Sequence, residues 1–368
     1  MKPLDTMKYK YKNIKNSINK KVYIIIINYN GWQDTIECIE SILRNTYKNY
    51  QIIIIDNNST DDSLYYIKQW AEGNIHIWIN PSNQLKKLLS GHIQKPIQYI
   101  VYTKDEALRG GNLYLENKIK SNFIQDNTKT YNPIIIIHSE KNLGFSGGNN
   151  LAIKYALKKD DFEYILLINN DTVVHESFLR EMISTIKSND ANGIVGAKIY
   201  HYTKPNKLWF NGGKFNIWTN RTTHTTKENK FAKSECNFIT GCVMLIRKNT
   251  IKQIGLLDED YFMYLEDLDF CFRAIQNGYK LFISHNSKIW HKVGSSSGGN
   301  LSDFSAYYFY RNNILFMIKN FKGAKFYTKI ILYFTLKIVA LFKWMLIKPS
   351  ISKQLLKGSI DGINLLKT

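Results

Sequence analysis

Four isoleucine-rich runs, residues 23–27, 51–55, 133–137 and 165–168, constrain this chain more than any other feature. Each is a short, nearly unbroken apolar stretch that gives way to polar residues. Such a stretch reads as a strand buried on both faces, the condition of a parallel sheet. The turns that follow are Asn28-Tyr29-Asn30-Gly31, Asp56-Asn57-Asn58-Ser59 and Asn169-Asn170-Asp171, with Gly144-Phe145-Ser146-Gly147-Gly148-Asn149 soon after the third run. Helical patterns separate most of the runs. Asp34 and Glu37 have the spacing of a capping box, and Ile36, Ile39 and Leu43 repeat on one face behind them. Residues 149–159 read as another helix, carrying Leu151, Ile153, Ala156 and Leu157. Strand, turn, helix, strand predicts an α/β fold with a mostly parallel sheet flanked by helices.

In such a fold the turns gather at the carboxyl edge of the sheet, where ligands bind. Glycines there let backbone approach a ligand closely, and helix N-termini face a pyrophosphate. Asp171 at the end of the fourth run suits a divalent metal, and a metal suits a phosphate; a capped turn is the plainer alternative. Asp56 has the same two readings, as a partner for a base or ribose or as an Asx-turn residue. No G-x-G-x-x-G follows a strand and no P-loop lysine is present, so a hydride-transfer cofactor and an ordinary kinase are unsupported.

Between residues 73 and 132 the periodicity loosens, although 75–79 and 97–102 fit strands. The segment reads as an insertion near the site. A helix at 177–187, a strand at 193–199, an aromatic stretch from Leu208 to Trp218 and a strand at 240–247 follow. Residues 258–269 hold a dense set of carboxylates among large aromatics, running into a helix that stops at Gly278. Acids in a first helical turn are favoured by the macrodipole, but their density in a basic chain points to a function. His291, after Trp290 and before the Gly/Ser run 294–299, reads as a metal-ligand candidate beside a loop able to fold over a site.

The formal net charge is +20, which ordinarily points to nucleic acid. Residues 1–21 carry seven Lys and one Asp, and residues 304–368 eleven Lys or Arg and one Asp. Contributions of +6 and +10 thus sit in the flanks and leave the middle near balance; no nucleic-acid partner is expected. Cys38, Cys236, Cys242 and Cys271 form no C-x-x-C pair and fit reduced thiols in a cytosolic protein. Residues 1–21 lack the apolar stretch of a secretory signal. Residues 330–347 are mostly apolar, interrupted by Lys337 and Lys343. At about 100° per residue, Lys322, Lys325, Lys329, Lys337, Lys343 and Lys348 share one arc. A lysine stripe opposite an apolar face is the pattern of a helix lying in a membrane interface, ended by Pro349. Packing on the protein's own core or on a partner chain is the alternative.

The segments NYNGWQDTIECIESIL, IIIIDNNSTDDS, NLGFSGGNN, LLINNDTVV, GCVMLIRK, DEDYFMYLEDLDFCFR, Trp290-His291 and YFYRNN occur in this order. Together they resemble the family 2 glycosyltransferases, in the bacterial rhamnosyltransferase-like branch, over about residues 22–315. The resemblance implies a GT-A fold, with a Rossmann-like nucleotide-binding half (22–175, carrying the insertion 73–132) and an acceptor half (176–315). A basic extension (1–21) and a basic amphipathic helical tail (316–368) flank them. It further implies an inverting transfer of a sugar, rhamnose by the branch's label, from a UDP- or dTDP-linked donor to a hydroxyl of a glycan or lipid-linked acceptor. The setting would be cell-surface polysaccharide synthesis at the inner face of the cell membrane, with Mg²⁺ or Mn²⁺ as cofactor.

Carried over by position, the resemblance assigns Asn28, Tyr29, Asn30, Asp56, Asn58, Asn142, Gly144, Gly148, Asn149, Asn169 and Asn170 to the nucleotide sugar. Asp171 and His291 would ligate the metal, Asp267 would be the general base beside Glu266, and Trp209, Gly212, Gly213, Thr240 and Gly241 would lie on the acceptor side. The family's first D-x-D acid is Asn169 here, which moves the burden of metal binding onto Asp171 and His291. A nucleotidyltransferase would need a basic, Gly-rich loop after the first strand, which residues 28–32 do not supply. A non-catalytic basic membrane-binding protein is the remaining alternative.

Overall fold

The computed structural model describes residues 20–76, 83–91, 93–124, 132–293 and 302–366. Most of the basic extension, part of the expected strand at 75–79 and the Gly/Ser run 294–299 lie outside them. Strands β1 (Val22–Asn28), β2 (Tyr50–Asp56), β3 (Tyr99–Thr103), β4 (Ile134–His138) and β5 (Tyr164–Asn169) run parallel in the spatial order β3-β4-β2-β1-β5. The four isoleucine runs are therefore neighbours. Nearly all their side chains are buried because helices cover both faces. β1 lies between β2, which follows it, and β5, which arrives later. The crevice at this reversal of winding is where open α/β sheets bind ligands.

The sheet continues past β5 with a change of direction. β6 (Thr172–Val174), β7 (Asn192–His201), β8 (Leu208–Phe210), β9 (Gly213–Asn216), β10 (Arg221–His224), β11 (Lys233–Cys236), β12 (Val243–Arg247) and β13 (Lys280–His291) complete the strands. β12 is antiparallel to β5 and β7, β13 is parallel to β7, and β11 closes the edge antiparallel to β13. β6 pairs with the end of β13 and β8 with β7, while β9 and β10 form a separate hairpin. The mixed, mostly parallel sheet expected from the sequence is present.

Two local expectations change. The helix expected at 149–159 spans Gly144–Lys159, taking in the whole glycine run. Gly148 faces β1: a Cβ there would lie 3.1 Å from the Ile27 side chain, so close packing outweighs helix propensity. Asp34 and Glu37 do not form a capping box. The helix is Trp32–Leu43, its N-cap is Gly31, and no side chain caps it. Both carboxylates instead bind Lys292, Asp34 at 2.5 Å, from a residue beyond the end of β13. A capping box does form at Thr103 and Glu106, opening the helix Lys104–Arg109.

The segment 73–132 supplies β3, which extends the parallel sheet beyond β4 at the edge far from β5 and β12. The chain closes with three helices, Asp303–Asn320, Gly323–Ile347 and Pro349–Asn364, the first running through the expected boundary at 315/316.

Lys292 joins the first helix to the far end of β13 through two largely buried carboxylates. Removing it strands both charges, at a cost of about 2–3 kcal/mol. Lys292→Met should accordingly lower the urea midpoint with an unchanged m-value.

Candidate active site

A cavity of about 380 Å³ opens where β1 and β5 end, within the range of small-molecule sites of roughly 300–1,000 Å³. One wall is the turns that follow β1, β2 and β4. Asn57 Nδ2 donates to Asn142 Oδ1 (2.9 Å) and to the Gly144 carbonyl (3.2 Å), while Asn57 Oδ1 accepts from Leu143 N (2.9 Å). This fixes the approach to the helix Gly144–Lys159. Gly144 has φ +67°, and a Cβ on it would meet the Phe262 carbonyl at 2.4 Å. Phe145 N donates to that carbonyl at 2.7 Å, which ties the glycine run to the acidic segment across the cavity.

The floor is Asn169-Asn170-Asp171. Asn170 Nδ2 donates to Thr35 Oγ1 (3.1 Å). Asp171 is buried, and its Oδ1 lies 3.1 Å from His291 Nε2. The sheet sets this distance, because β6 pairs with β13 in a register that places Thr172 opposite His291. Burial pulls the His291 pKa down, but Cys242 and Asp171 more than offset it and hold the imidazole well above its ordinary value. The Trp209 ring packs edge-on against His291, with centroids 4.9 Å apart.

The opposite wall carries Glu266 and Asp267 at the start of the helix Glu266–Gln276. Asp267 accepts from the backbone N–H of Gly241 and of Leu268, both at 2.8 Å. Burial pushes its carboxyl up to about 6, against the pull of these two donors. Glu266 is raised well above the carboxylate range by burial and then by the charge on Asp267. One carboxyl of the pair is thus neutral while the other ionises. The preceding turn is strained, with Phe262, Tyr264 and Leu265 left-handed at φ 53°, 71° and 68°. Asn312 Nδ2 holds it, directed at the carbonyls of Tyr261, Met263 and Tyr264, each at 2.8 Å.

Of the residues selected from sequence, Tyr29, Asn142, Gly144, Asn149, Asn169, Asn170, Asp171, Trp209, Thr240, Gly241, Glu266, Asp267 and His291 line this cavity. Seven do not. Asn28 and Asp56 are buried and bond each other at 3.3 Å, and Asp56 Oδ2 also pairs with His138 Nδ1 at 2.9 Å. Asn30 and Asn58 have left-handed backbones that shape the turns. Gly148 faces β1, and Gly212 and Gly213 line a different cavity beside it. None of the described residues between 73 and 132 lines the cavity. The sequence reading missed Asn57, whose turn was noted, Asn220 just before β10, and Thr222 and His224, which sit on a strand too short to show a pattern.

The model of the family described as glycosyl transferase family 2 matches residues 23–87 and 121–255, just over half of the chain. This chain belongs to glycosyl transferase family 2. Among its relatives is the low-salt glycan biosynthesis hexosyltransferase Agl10 of Haloferax volcanii, 26% identical over 249 residues, which span 64% of this chain and 77% of that protein. The dTDP-rhamnosyl transferase RfbF of Shigella flexneri is 25% identical over 214 residues, 55% of this chain and 69% of its own length. The mannosyltransferase PcManGT from Pyrobaculum calidifontis, solved with GDP-Man and Mn²⁺, superposes with a TM-score of 0.50 at 10% identity, covering 94% of this chain and 87% of that one. It shares the fold, and the GT-A expectation is met. The activity of this family 2 glycosyltransferase is therefore sugar transfer, and its resemblance to rhamnosyltransferases extends to curated sequences.

Proposed function

We propose that this glycosyltransferase moves a sugar from a nucleoside diphosphate, UDP- or dTDP-linked, to a hydroxyl of a glycan or lipid-linked acceptor of a cell-surface polysaccharide, inverting the anomeric centre in one displacement. The observation that carries the reading is Asp267. It lines the same cavity as the Gly144 helix terminus, and burial sets its carboxyl near 6. Such a group is ionised at neutral pH yet still basic enough to take a hydroxyl proton in the transition state. Its two backbone donors fix its orientation, and neutral Glu266 beside it adds no competing charge. A single base without a partnered nucleophile fits direct displacement. The helix N-terminus at Gly144 supplies positive potential for the departing diphosphate.

Asp171 and His291 fit a divalent metal, Mg²⁺ or Mn²⁺. Their 3.1 Å separation is close to the roughly 3 Å between adjacent ligands of an octahedron with bonds of about 2.1 Å. The Cys242 thiol hydrogen-bonds the buried imidazole of His291. No described group of three His, Cys, Asp or Glu side chains could enclose an ion. A bound metal would offset charge gained by the leaving diphosphate, while Asn170 and Thr35 hold the turn that presents Asp171.

Membrane association belongs to the same reading. The helix Gly323–Ile347 contains a window of mean hydropathy 2.0, of which only 6% is buried. Lys329 and Lys337 of the expected stripe turn inward: Lys329 is buried, and Lys337 lies over the Tyr310 ring. Ile338, Val339, Phe342 and Leu346 are exposed. An apolar face outward, on a basic flank, fits an anionic bilayer surface at the cytoplasmic leaflet.

Asp267→Asn should lower kcat by about 100-fold or more and leave donor binding intact, as read by thermal shift across dTDP-rhamnose, UDP-glucose and UDP-galactose. Unchanged turnover would remove Asp267 as the base. In the wild type, acceptor kcat/KM should fall about tenfold per pH unit below about pH 6 and level off above it, since only the ionised carboxylate accepts the proton. Chelation with EDTA should abolish transfer, with recovery on adding Mn²⁺ or Mg²⁺ but not Na⁺. Replacing Val339, Phe342 and Leu346 together by Asp should release the protein from phosphatidylglycerol-containing vesicles in a sedimentation assay; retention at the wild-type level would exclude this face as the contact.

A further inference from the structure

The hairpin of β9 and β10 separates two cavities. Along β10 and the residues beside it, side chains alternate in direction. Asn220, Thr222 and His224 face the active-site cavity, whereas Thr219, Arg221, Thr223 and Thr225 face a neighbouring polar cavity of about 1,000 Å³. Three polar side chains thus form a row across from Asp267, bordered by the Trp209 and Phe238 rings.

Asn220 is the most constrained of the three. It is 5% exposed and left-handed, with φ 52°. Its Oδ1 accepts from Lys329 Nζ at 2.7 Å, and the same ammonium donates to the Ile217 carbonyl. An ammonium has donors only, so it dictates which way the amide lies, with oxygen toward Lys329 and nitrogen away. Asn220 Nδ2 is then a buried donor that has no partner among the described residues. Leaving a buried donor unmatched costs about 1–3 kcal/mol, so its presence in a substrate cavity points to a ligand oxygen as the missing partner. A second unmatched polar atom of the same cavity, Glu266 Oε2, lies next to the base.

We propose that Asn220 recognises the acceptor sugar by donating Nδ2–H to one of its oxygens, with Lys329 as the residue that positions the amide. Thr222 and His224 extend the polar row along the same strand. The inference rests on the sugar-transfer reading above and names the acceptor-contacting residues for it. The class of ligand is a hydroxyl-rich sugar, whose faces suit the flanking Trp209 and Phe238 rings and whose oxygens suit the amide. Because Lys329 belongs to the exposed apolar helix Gly323–Ile347, the acceptor wall and the surface expected at the bilayer share one buried hydrogen bond.

The test uses the full chain with the best-stabilising sugar nucleotide and three acceptor probes, octyl glucoside, octyl galactoside and octyl N-acetylglucosaminide. Asn220→Leu should raise the acceptor KM about five- to tenfold, the worth of one hydrogen bond, with the donor KM moving less than twofold. Lys329→Met should shift the acceptor KM in the same direction, and Lys329→Arg should restore it. A purely structural role would move both KM values or the thermal midpoint together. Unchanged acceptor KM in Asn220→Leu overturns the proposal, as does the absence of transfer to every glycoside by wild-type enzyme that still hydrolyses the donor. If the wild type neither hydrolyses nor transfers from any sugar nucleotide, the transfer reading itself fails.

Discussion

The active site depends on a turn that its own backbone resists. Phe262, Tyr264 and Leu265 occupy left-handed conformations that cost on the order of 1 kcal/mol or more each for residues with a side chain. The turn persists because its carbonyls have strong partners from distant parts of the chain. Asn312 serves three of them from the helix Asp303–Asn320, and Phe145 N serves a fourth from the glycine run. Arg311 adds a bond to the Asp260 carbonyl. The acidic segment is thus clamped between the nucleotide side and the C-terminal helices, and Asp267 emerges where the Gly241 amide can meet it. Placing Asp267 consumes backbone strain, and two separate regions of sequence, the helix Asp303–Asn320 and the glycine run, supply the compensation.

The same clamp explains the unequal fates of two adjacent carboxyls. Glu266 and Asp267 are both withdrawn from water, but only Asp267 receives two backbone donors. Hydrogen bonds to the ionised form favour ionisation, and a charge on one neighbour disfavours it on the other. Local geometry therefore decides which acid is charged.

The sheet was legible because burial on both faces leaves unbroken isoleucine runs that few other structures produce. Helix ends were harder. The run 144–149 reads as loop by propensity, yet Gly148 is helical and packs closely against Ile27, where a Cβ would need the side chain to shift. Asp34 and Glu37 carry a correct local cap spacing, but their partner, Lys292, lies 255 residues beyond Glu37, and no window on the sequence reveals it. The turn residues Asn28, Asn30, Asp56 and Asn58 were recognised as a group and assigned one role. In the structure they build the turns, while their neighbours Tyr29 and Asn57 face the cavity. Thr222 and His224, with Asn220 in the turn before them, left no trace because a four-residue strand with polar residues on both faces has no hydrophobic period. The lysine arc of residues 322–348 was visible, but which side of the helix would face the protein was not, since Lys329 is held by a carbonyl and an amide that local sequence does not show.

The pairing of β6 with β13 has a consequence for how the molecule is made. Asp171 and His291 stand 120 residues apart in the chain, and a three-residue strand brings them together. Their meeting closes a long loop and comes at an entropic cost that local structure cannot recover early. The parallel half of the sheet, β1 to β5, is complete in sequence by residue 169, well before synthesis reaches His291. An emerging chain can therefore assemble its nucleotide-side turns while the Asp171–His291 pair does not yet exist. The Asp171–His291 contact arises only when the last sheet strand docks, which makes that pair a reporter of a completed sheet.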